Sequence, residues 1–355
     1  MKKLLASCSM KELEELVCQL GEKTYRAKQL FQFAQTGIPI EKMTSLSKAL
    51  REKLAEQYVT TGVEIVKKLV SQIDGTIKYL FSLADGNIIE GVLMQYHHGN
   101  TICISSQVGC RMGCGFCAST LNGLVRNLEA GEMLGQVGAV MQDIGQQQEN
   151  KRAITNIVIM GSGEPLDNYE NTVKFLQLVH HENGLGFSYR NITLSTCGLV
   201  EQIKRLADEQ IPITLAISLH APFDAVRGKI MQVSKAYSIA EILNAARYYV
   251  ERTKRRLIVE YALIDGVNDS ADCAKELSSL LRNLQCHVNL ISLNQVEECA
   301  FQPSGERTVQ AFMEVLEQNH ISVTRRRKLG ADIDGACGQL RQRYSREDGS
   351  LEGFH

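Results

Sequence analysis

The chain has 355 residues, 39 Lys and Arg against 40 Asp and Glu, a net charge of −1, and 44% hydrophobic and 22% charged content. That length suits one large α/β domain plus a smaller one, and that balance is expected of a soluble globular protein. No stretch approaches the ~20 apolar residues of a membrane helix, the opening Met-Lys-Lys-Leu-Leu-Ala-Ser-Cys soon gives way to charged residues, and the cysteine count of 11 is odd; these point to the cytoplasm rather than to a secreted disulfide framework.

Residues 1–60 read as helices. Lys11 to Leu20 places Leu13, Leu16, Val17 and Leu20 on one face, and Tyr25 to Gln35 and Leu46 to Gln57 look alike. The segment resembles a small helical accessory domain of the kind that contacts nucleic-acid backbone, with an ordinary helical cap as the alternative. Residues 61–95 form a β extension: Val63 to Val70, Thr76 to Leu83 and Ile88 to Met94 are separated by turn signals such as Asp74-Gly75 and Asp85-Gly86-Asn87. Thr101 to Ser105 adds a further strand, opening the core over 96–329. There, short apolar strands beginning near Asn156, Asn191, Ile213, Leu257 and His287 alternate with amphipathic helices. That rhythm means a parallel sheet, and six such units fit a partial (β/α)6 TIM-type barrel, with its chemistry on the loops after the strands. Residues 330–355 read as a glycine-rich loop and tail.

The chemistry begins in Gly109-Cys-Arg-Met-Gly-Cys-Gly-Phe-Cys117. Cys110, Cys114 and Cys117 are spaced for metal or iron–sulfur ligation. A [4Fe–4S] cluster usually takes four Cys ligands, so three local thiolates leave one iron open. Structural zinc is the alternative, but it is closed by four protein ligands, and only Cys103, His98 and His97 lie upstream, away from finger spacing. Gly161-Ser-Gly-Glu-Pro165 follows a predicted strand; its glycines admit a ligand close to the backbone, and Glu164 offers an acceptor to an ammonium group. A plain strand-exit turn is the alternative. Ser195, Ser218-Leu219-His220 and Asn294 also sit at predicted strand ends, where such residues either line a ligand site or cap the next helix. Cys337, in Gly330-Ala-Asp-Ile-Asp-Gly-Ala-Cys-Gly338, is either a reactive thiol or a small buried hydrophobe. Two basic runs, Lys254-Arg255-Arg256 and Arg325-Arg326-Arg327-Lys328, are either solvated faces or phosphate-tracking surface.

The Cys-x3-Cys-x2-Cys run resembles the signature of the radical S-adenosylmethionine (SAM) superfamily. Together with Cys103-Ile-Ser-Ser-Gln-Val-Gly-Cys110, Gly163-Glu-Pro165, Ile217-Ser-Leu-His-Ala-Pro222, Asp265-Gly-Val-Asn-Asp269, Val288-Asn-Leu-Ile291 and Gly330-Ala-Asp-Ile-Asp-Gly-Ala-Cys-Gly-Gln339, it resembles the radical SAM RNA adenine-C2 methyltransferases, whose sister group is the Cfr-type C8 methyltransferases. The resemblance runs in order from about residue 90 to 340 and, more weakly, through the helical N-terminus. It implies a cluster held by Cys110, Cys114 and Cys117, and two SAM per turnover. It implies SAM contacts at Gly163, Glu164, Ser195, Ser218, Leu219, His220 and Asn294. Cys337 would first take a methyl group; a radical made from the second SAM would then convert it for addition to adenine C2, and Cys103 would release the RNA by a transient disulfide with Cys337. Glu90 matches a proposed proton acceptor, against the alternative of an exposed Glu on an alternating strand. The implied substrates are adenine 2503 of 23S rRNA and adenine 37 of tRNAs. The implied partners are those RNAs and a low-potential electron donor of flavodoxin or ferredoxin type, with no membrane; the sequence leaves the oligomeric state open, a monomer being the expectation. Ser162, where Met is common, and Ala118-Ser119-Thr120, where Ala-Thr-Gly is common, depart from the pattern. Pro165, where the C8 group tends to Ala, leans toward C2 chemistry.

Overall fold

The computed structural model describes residues 2–97, 99–145, 153–293 and 301–333. At the N-terminus, β1 (Lys3–Leu4) pairs in parallel with β2 (Tyr58–Val59) around helices α1 (Met10–Gln19), α2 (Tyr25–Gln35) and α3 (Lys48–Gln57). Ser9 starts α1 with a capping box: it accepts from the Glu12 amide, and the Glu12 carboxylate accepts from the Ser9 amide. Leu13 and Val17, on the predicted face, are buried, while Leu16 and Leu20 are partly buried against the same core. That core continues without a break into the barrel helices. Gly131 lies so close to the N-terminal segment that a Cβ there would meet Ser7 at 2.6 Å.

Strands β3 (Val63–Val70), β4 (Ile77–Leu83), β5 (Ile88–Tyr96) and β6 (Gly99–Ile104) form an antiparallel meander, matching the expected strands to within a few residues. A small hairpin of β7 (Gln107–Gly109) and β8 (Leu124–Asn127) follows, and its loop carries all three clustered cysteines. From β6 onward the sheet is parallel, through β9 (Asn156–Ile159), β10 (Ile192–Thr196), β11 (Thr214–Ser218), β12 (Leu257–Leu263), β13 (Cys286–Ser292) and β14 (Val323–Arg325). The crossovers carry α4 (Ala130–Gly145), α5 (Tyr169–His180), α6 (Val200–Asp208), the pair α7 (Asp224–Ile230) and α8 (Ile239–Thr253), α9 (Ala271–Leu281) and α10 (Glu306–Gln318).

The strand order, β14-β13-β12-β11-β10-β9-β6-β5-β4-β3, never doubles back. Each parallel strand lies beside its predecessor, so the sheet winds one way, as a barrel does, with six β/α crossovers and no closing pair among the described residues. This is the expected partial (β/α)6 barrel, extended at one edge by β3–β5. The sequence reading missed α7 and β14. Both are short, and α7 buries an arginine, Arg227, rather than an apolar stripe. Among the described residues no helix is long and apolar enough to cross a membrane.

Candidate active site at the strand ends

The C-terminal ends of the parallel strands surround a cavity of about 340 Å³. Cys110, Cys114 and Cys117 line it, together with Cys103, Gly163, Glu164, Ser195, Ser218 and His220. Sequence reasoning thus selected residues far apart in the chain that the fold brings to one opening. Asn294 and Cys337 lie outside the described residues.

The cysteine loop is held by its backbone. Gly109 has φ +80°, and a Cβ there would stand 2.0 Å from the Gly123 carbonyl oxygen, so no other residue fits. The Cys110 amide donates to that same oxygen at 2.9 Å, the Gly115 amide donates to the Ile230 carbonyl at 2.9 Å, and the Thr120 hydroxyl donates to the Cys117 carbonyl at 2.9 Å. Phe116, the aromatic before the last thiol, meets the His220 ring edge-on at 5.1 Å. Burial pushes the Cys110 thiol up to about 12, with the neighbouring Cys117 and Glu164 charges adding to the rise. Cys114 is raised by burial and by the charges of Cys117 and Cys110.

This donor set fits an iron–sulfur cluster. Three thiols that feel one another's charge share one cavity. Such clusters are held by Cys thiolates, whereas structural zinc is closed by four protein ligands. Two further thiols line the cavity, Cys103 and Cys197, and the Cys197 amide donates to Glu164 Oε2 at 2.7 Å.

The Gly161–Pro165 loop is clamped to the exit of β6. The Gly161 amide donates to the Ile104 carbonyl at 2.9 Å, the Ser162 amide to Ser105 Oγ at 2.9 Å, and the Glu164 amide to Gln107 Oε1 at 2.8 Å. Gly163 has φ +108°, and a Cβ there would strike the Gln107 side chain at 2.6 Å. Glu164 is buried and accepts from the amides of Cys197 at 2.7 Å and Leu166 at 3.0 Å. Burial raises its carboxyl, and those hydrogen bonds oppose the rise.

Ser195 and Ser218 stand 3.2 Å apart at the ends of adjacent strands, and Ser195 donates to Glu260 Oε2 at 3.0 Å. Glu260, on β12, is a cavity residue that the sequence reading missed. Its strand looked like plain apolar core, and only the neighbouring serines reveal its role. Its Oε1 is buried with no hydrogen-bond partner, 3.8 Å from Arg326 Nη1. Leu219 differs from its neighbours: its side chain is wholly buried in the core and does not line the cavity. His220 accepts from the Ala262 amide on Nδ1 at 3.0 Å. Burial, reinforced by the Arg227 charge, lowers it to about 3, so the ring is neutral with its proton on Nε2. Arg227, also missed, is fully buried on α7 and donates to the carbonyls of Cys197 at 2.6 Å, Leu219 at 3.0 Å and Ser218 at 3.3 Å.

Glu90 is not the exposed strand residue that the sequence allowed. It is buried and pairs with the wholly buried Lys78 at 3.3 Å. It does not line the cavity, but it shares a face of β5 with Val92 and Met94, which do. Among the described residues every cysteine is unbridged, so the structure holds no disulfide there. The two basic runs separate. Arg255 donates to Thr214 Oγ1 and Arg256 to the Cys286 carbonyl, at the starts of β11 and β13, the end of the barrel away from the cavity. Arg326, Arg327 and Lys328 line the cavity itself.

Comparison with known proteins agrees with this geometry. A family model described as the radical SAM superfamily matches residues 104–275, and one described as the ribosomal RNA large subunit methyltransferase N-terminal domain matches residues 4–59. The chain is 54% identical to the probable dual-specificity RNA methyltransferase RlmN of Alkaliphilus oremlandii, over 96% of this chain and 98% of that protein. It is 49% identical to the protein of the same description from Clostridioides difficile, over 97% and 98%. The crystal structure of a radical SAM methyltransferase from Sphaerobacter thermophilus superimposes with a TM-score of 0.90 at 44% identity, covering 95% of this chain and 98% of that one. The superfamily uses a [4Fe–4S] cluster and SAM, which the thiols and the clamped glycine loop of this cavity suit. The chain belongs to the RlmN family of radical SAM RNA methyltransferases.

Proposed function

We infer that this SAM-dependent RNA methyltransferase places a methyl group on carbon 2 of adenine, at position 2503 of 23S rRNA and position 37 of tRNAs, through a methyl group carried on Cys337. The observation that carries the reading is the common cavity: three cluster thiols, the Gly163–Glu164 loop, the strand-end serines and Cys103 open onto one space, and Arg326 to Leu329, a few residues before Cys337, line it too. When bound, the cluster and SAM supply a one-electron route to a carbon radical, which an electron-poor position such as adenine C2 needs because ordinary displacement fails there.

The chain's own residues account for the rest. Cys110, Cys114 and Cys117 hold the cluster. Glu164, a buried carboxylate, receives the SAM amino group, and Ser195, Ser218 and the backbone of Leu219 and His220 hold the nucleoside. Leu219 and His220 donate their amides to the Glu260 carbonyl at 3.1 and 3.3 Å, which stiffens that loop. Asn294 completes the SAM contacts. Cys103, in the cavity wall, resolves the protein–RNA adduct by pairing with Cys337, and Glu90 accepts the C2 proton with Lys78 steadying its carboxylate. The adenine must leave its stack to reach a barrel mouth, which favours looped RNA. Residues 1–60 contribute RNA backbone contacts, with 61–95 as the β extension, 96–329 as the radical SAM core and 330–355 as the methyl-carrying loop and tail. The reaction draws on a low-potential donor of flavodoxin or ferredoxin type, and the enzyme works as a monomer in the cytoplasm.

The test is Cys103→Ala. With SAM, reductant and RNA, this variant should accumulate RNA bound covalently to protein, seen as a slow band on a denaturing gel, because the resolving thiol is gone. Normal turnover with no such band would remove Cys103 from the mechanism. A second reading, C8 methylation, shares the cluster ligands and both thiols and differs in the position of the methyl group on the product; Pro165 favours C2.

A further inference from the structure

The turn between β3 and β4 lies far from the cluster loop in sequence, yet it grips the segment that leads to Cys337. Asp332 accepts two hydrogen bonds from this turn: Ser71 Oγ donates to its Oδ1 at 2.6 Å, and the Gln72 amide donates to its Oδ2 at 2.8 Å. A bond in the opposite sense runs alongside, the Gly330 amide donating to Asp74 Oδ2 at 2.9 Å. The turn is organised for this. Ser71 Oγ accepts from the amides of Ile73 at 3.2 Å and Asp74 at 3.3 Å, which commits its one proton to Asp332. Asp74 Oδ1 accepts from the Thr76 amide at 2.9 Å, which aims the other oxygen at Gly330. The gripping bonds put carboxylates on hydroxyl and amide donors, the strong class of hydrogen bond.

The other end of the same segment is anchored in the cavity. Arg326 pairs with Glu260 at 3.8 Å, and Leu329 packs against the cluster of Val92, Met94 and Cys103. Arg326 to Asp332 is therefore fastened at both ends, with Cys103 beneath its middle. Cys337 is four residues past Ile333, so its Cα lies within about 14 Å of the Ile333 Cα whatever path the chain takes.

We propose that Ser71, Asp74 and Asp332 are positioning residues for the methyl-carrying thiol: the β3–β4 turn docks the C-terminal segment so that Cys337 is held within reach of Cys103 and the cavity. The β extension then has a use beyond covering the barrel edge. This deepens the proposed function and rests on its pairing of Cys337 with Cys103.

The pairing equilibrium measures the docking without turnover. Holoenzyme is held anaerobically in glutathione buffers, quenched with an alkylating reagent, and the peptide linking Cys103 to Cys337 is quantified by mass spectrometry. The exchange balances: the glutathione disulfide bond breaks, the protein disulfide forms, and the two thiol protons pass to two glutathione sulfurs. The equilibrium constant is the effective concentration of one thiol at the other. Asp332→Ala removes an exposed side chain and leaves the turn's own bonds intact, so iron content and thermal unfolding should match the wild type. Its effective concentration should fall about tenfold, the loss expected of two hydrogen bonds. Asp332→Asn should fall less, and Ser71→Ala, which loses one bond, should fall about threefold. In denaturant all variants should coincide. If wild type and Asp332→Ala give equal values in the folded state, the docking role is overturned while the proposed function stands. If wild type forms no such disulfide at any glutathione ratio, the pairing of Cys337 with Cys103 falls, and the docking role falls with it.

Discussion

Arg227→Met tests how the strand ends proposed to bind SAM are held together. The guanidinium is fully buried and donates to the carbonyls of Cys197, Ser218 and Leu219 at 2.6, 3.3 and 3.0 Å, and to Ser234 Oγ at 3.1 Å. Methionine keeps most of the volume, so the loss is mainly of hydrogen bonds. A buried acceptor left without a partner costs about 1–3 kcal/mol. Three such carbonyls give a gross cost of roughly 3–9 kcal/mol, from which the relief of no longer burying a guanidinium must be subtracted. We expect a net loss of about 2–4 kcal/mol in urea unfolding. The same carbonyls belong to residues flanking Ser195, Ser218 and His220, so SAM affinity measured by calorimetry on the cluster-loaded protein should fall at least about tenfold. Arg227→Lys keeps the charge but not the planar fork, and should recover only part of both. A variant that unfolds within about 1 kcal/mol of wild type and binds SAM normally would refute the bridging role.

Three further outcomes follow from the same geometry. Replacing Cys110, Cys114 or Cys117 with Ala should remove most bound iron and all SAM cleavage, measured by iron and sulfide analysis after anaerobic purification; a triple-Ala protein that retains four irons would contradict the ligand set. Glu260→Ala should weaken SAM binding roughly tenfold, since a carboxylate that holds Ser195 and leaves a buried oxygen at the cavity is removed; unchanged affinity would assign it to Arg326 alone. Reversing Arg327 and Lys328 to Glu should weaken RNA binding and reduce its salt slope by about one unit for each phosphate no longer neutralised, with SAM cleavage in the absence of RNA little changed. An unaltered slope would move the RNA surface to the helical N-terminal segment.

Most of the fold was legible because its signals are local. Alternation between turn residues marked β3 to β5, and short apolar runs before amphipathic helices marked the parallel strands. The cysteine spacing and the Gly161–Pro165 loop were legible for the same reason: each is a short stretch whose residue types suit one task. What escaped depends on tertiary structure. Arg227 lies on a helix too short to show in the sequence, and its role appears only when three carbonyls from two strand ends converge on it. Glu260 reads as an interruption in an apolar strand until Ser195 and Ser218 arrive beside it. Glu90 could be read either way, and only the wholly buried Lys78 across the β4–β5 pairing makes its burial tolerable. The two basic runs look equivalent in sequence, yet one bonds to the starts of β11 and β13 and the other lines the cavity at the opposite strand ends.

Whether the enzyme methylates RNA at adenine C2 is decided by the product itself. Cluster-loaded enzyme, SAM and a reductant are offered a 23S rRNA fragment and tRNA separately, and the nucleosides are digested and compared with authentic standards by chromatography and mass spectrometry. The expected product is 2-methyladenosine from both RNAs, at position 2503 in the first and position 37 in the second. A methyl group on carbon 8, or RNA that gains no methyl group while SAM is cleaved, would contradict the proposed function.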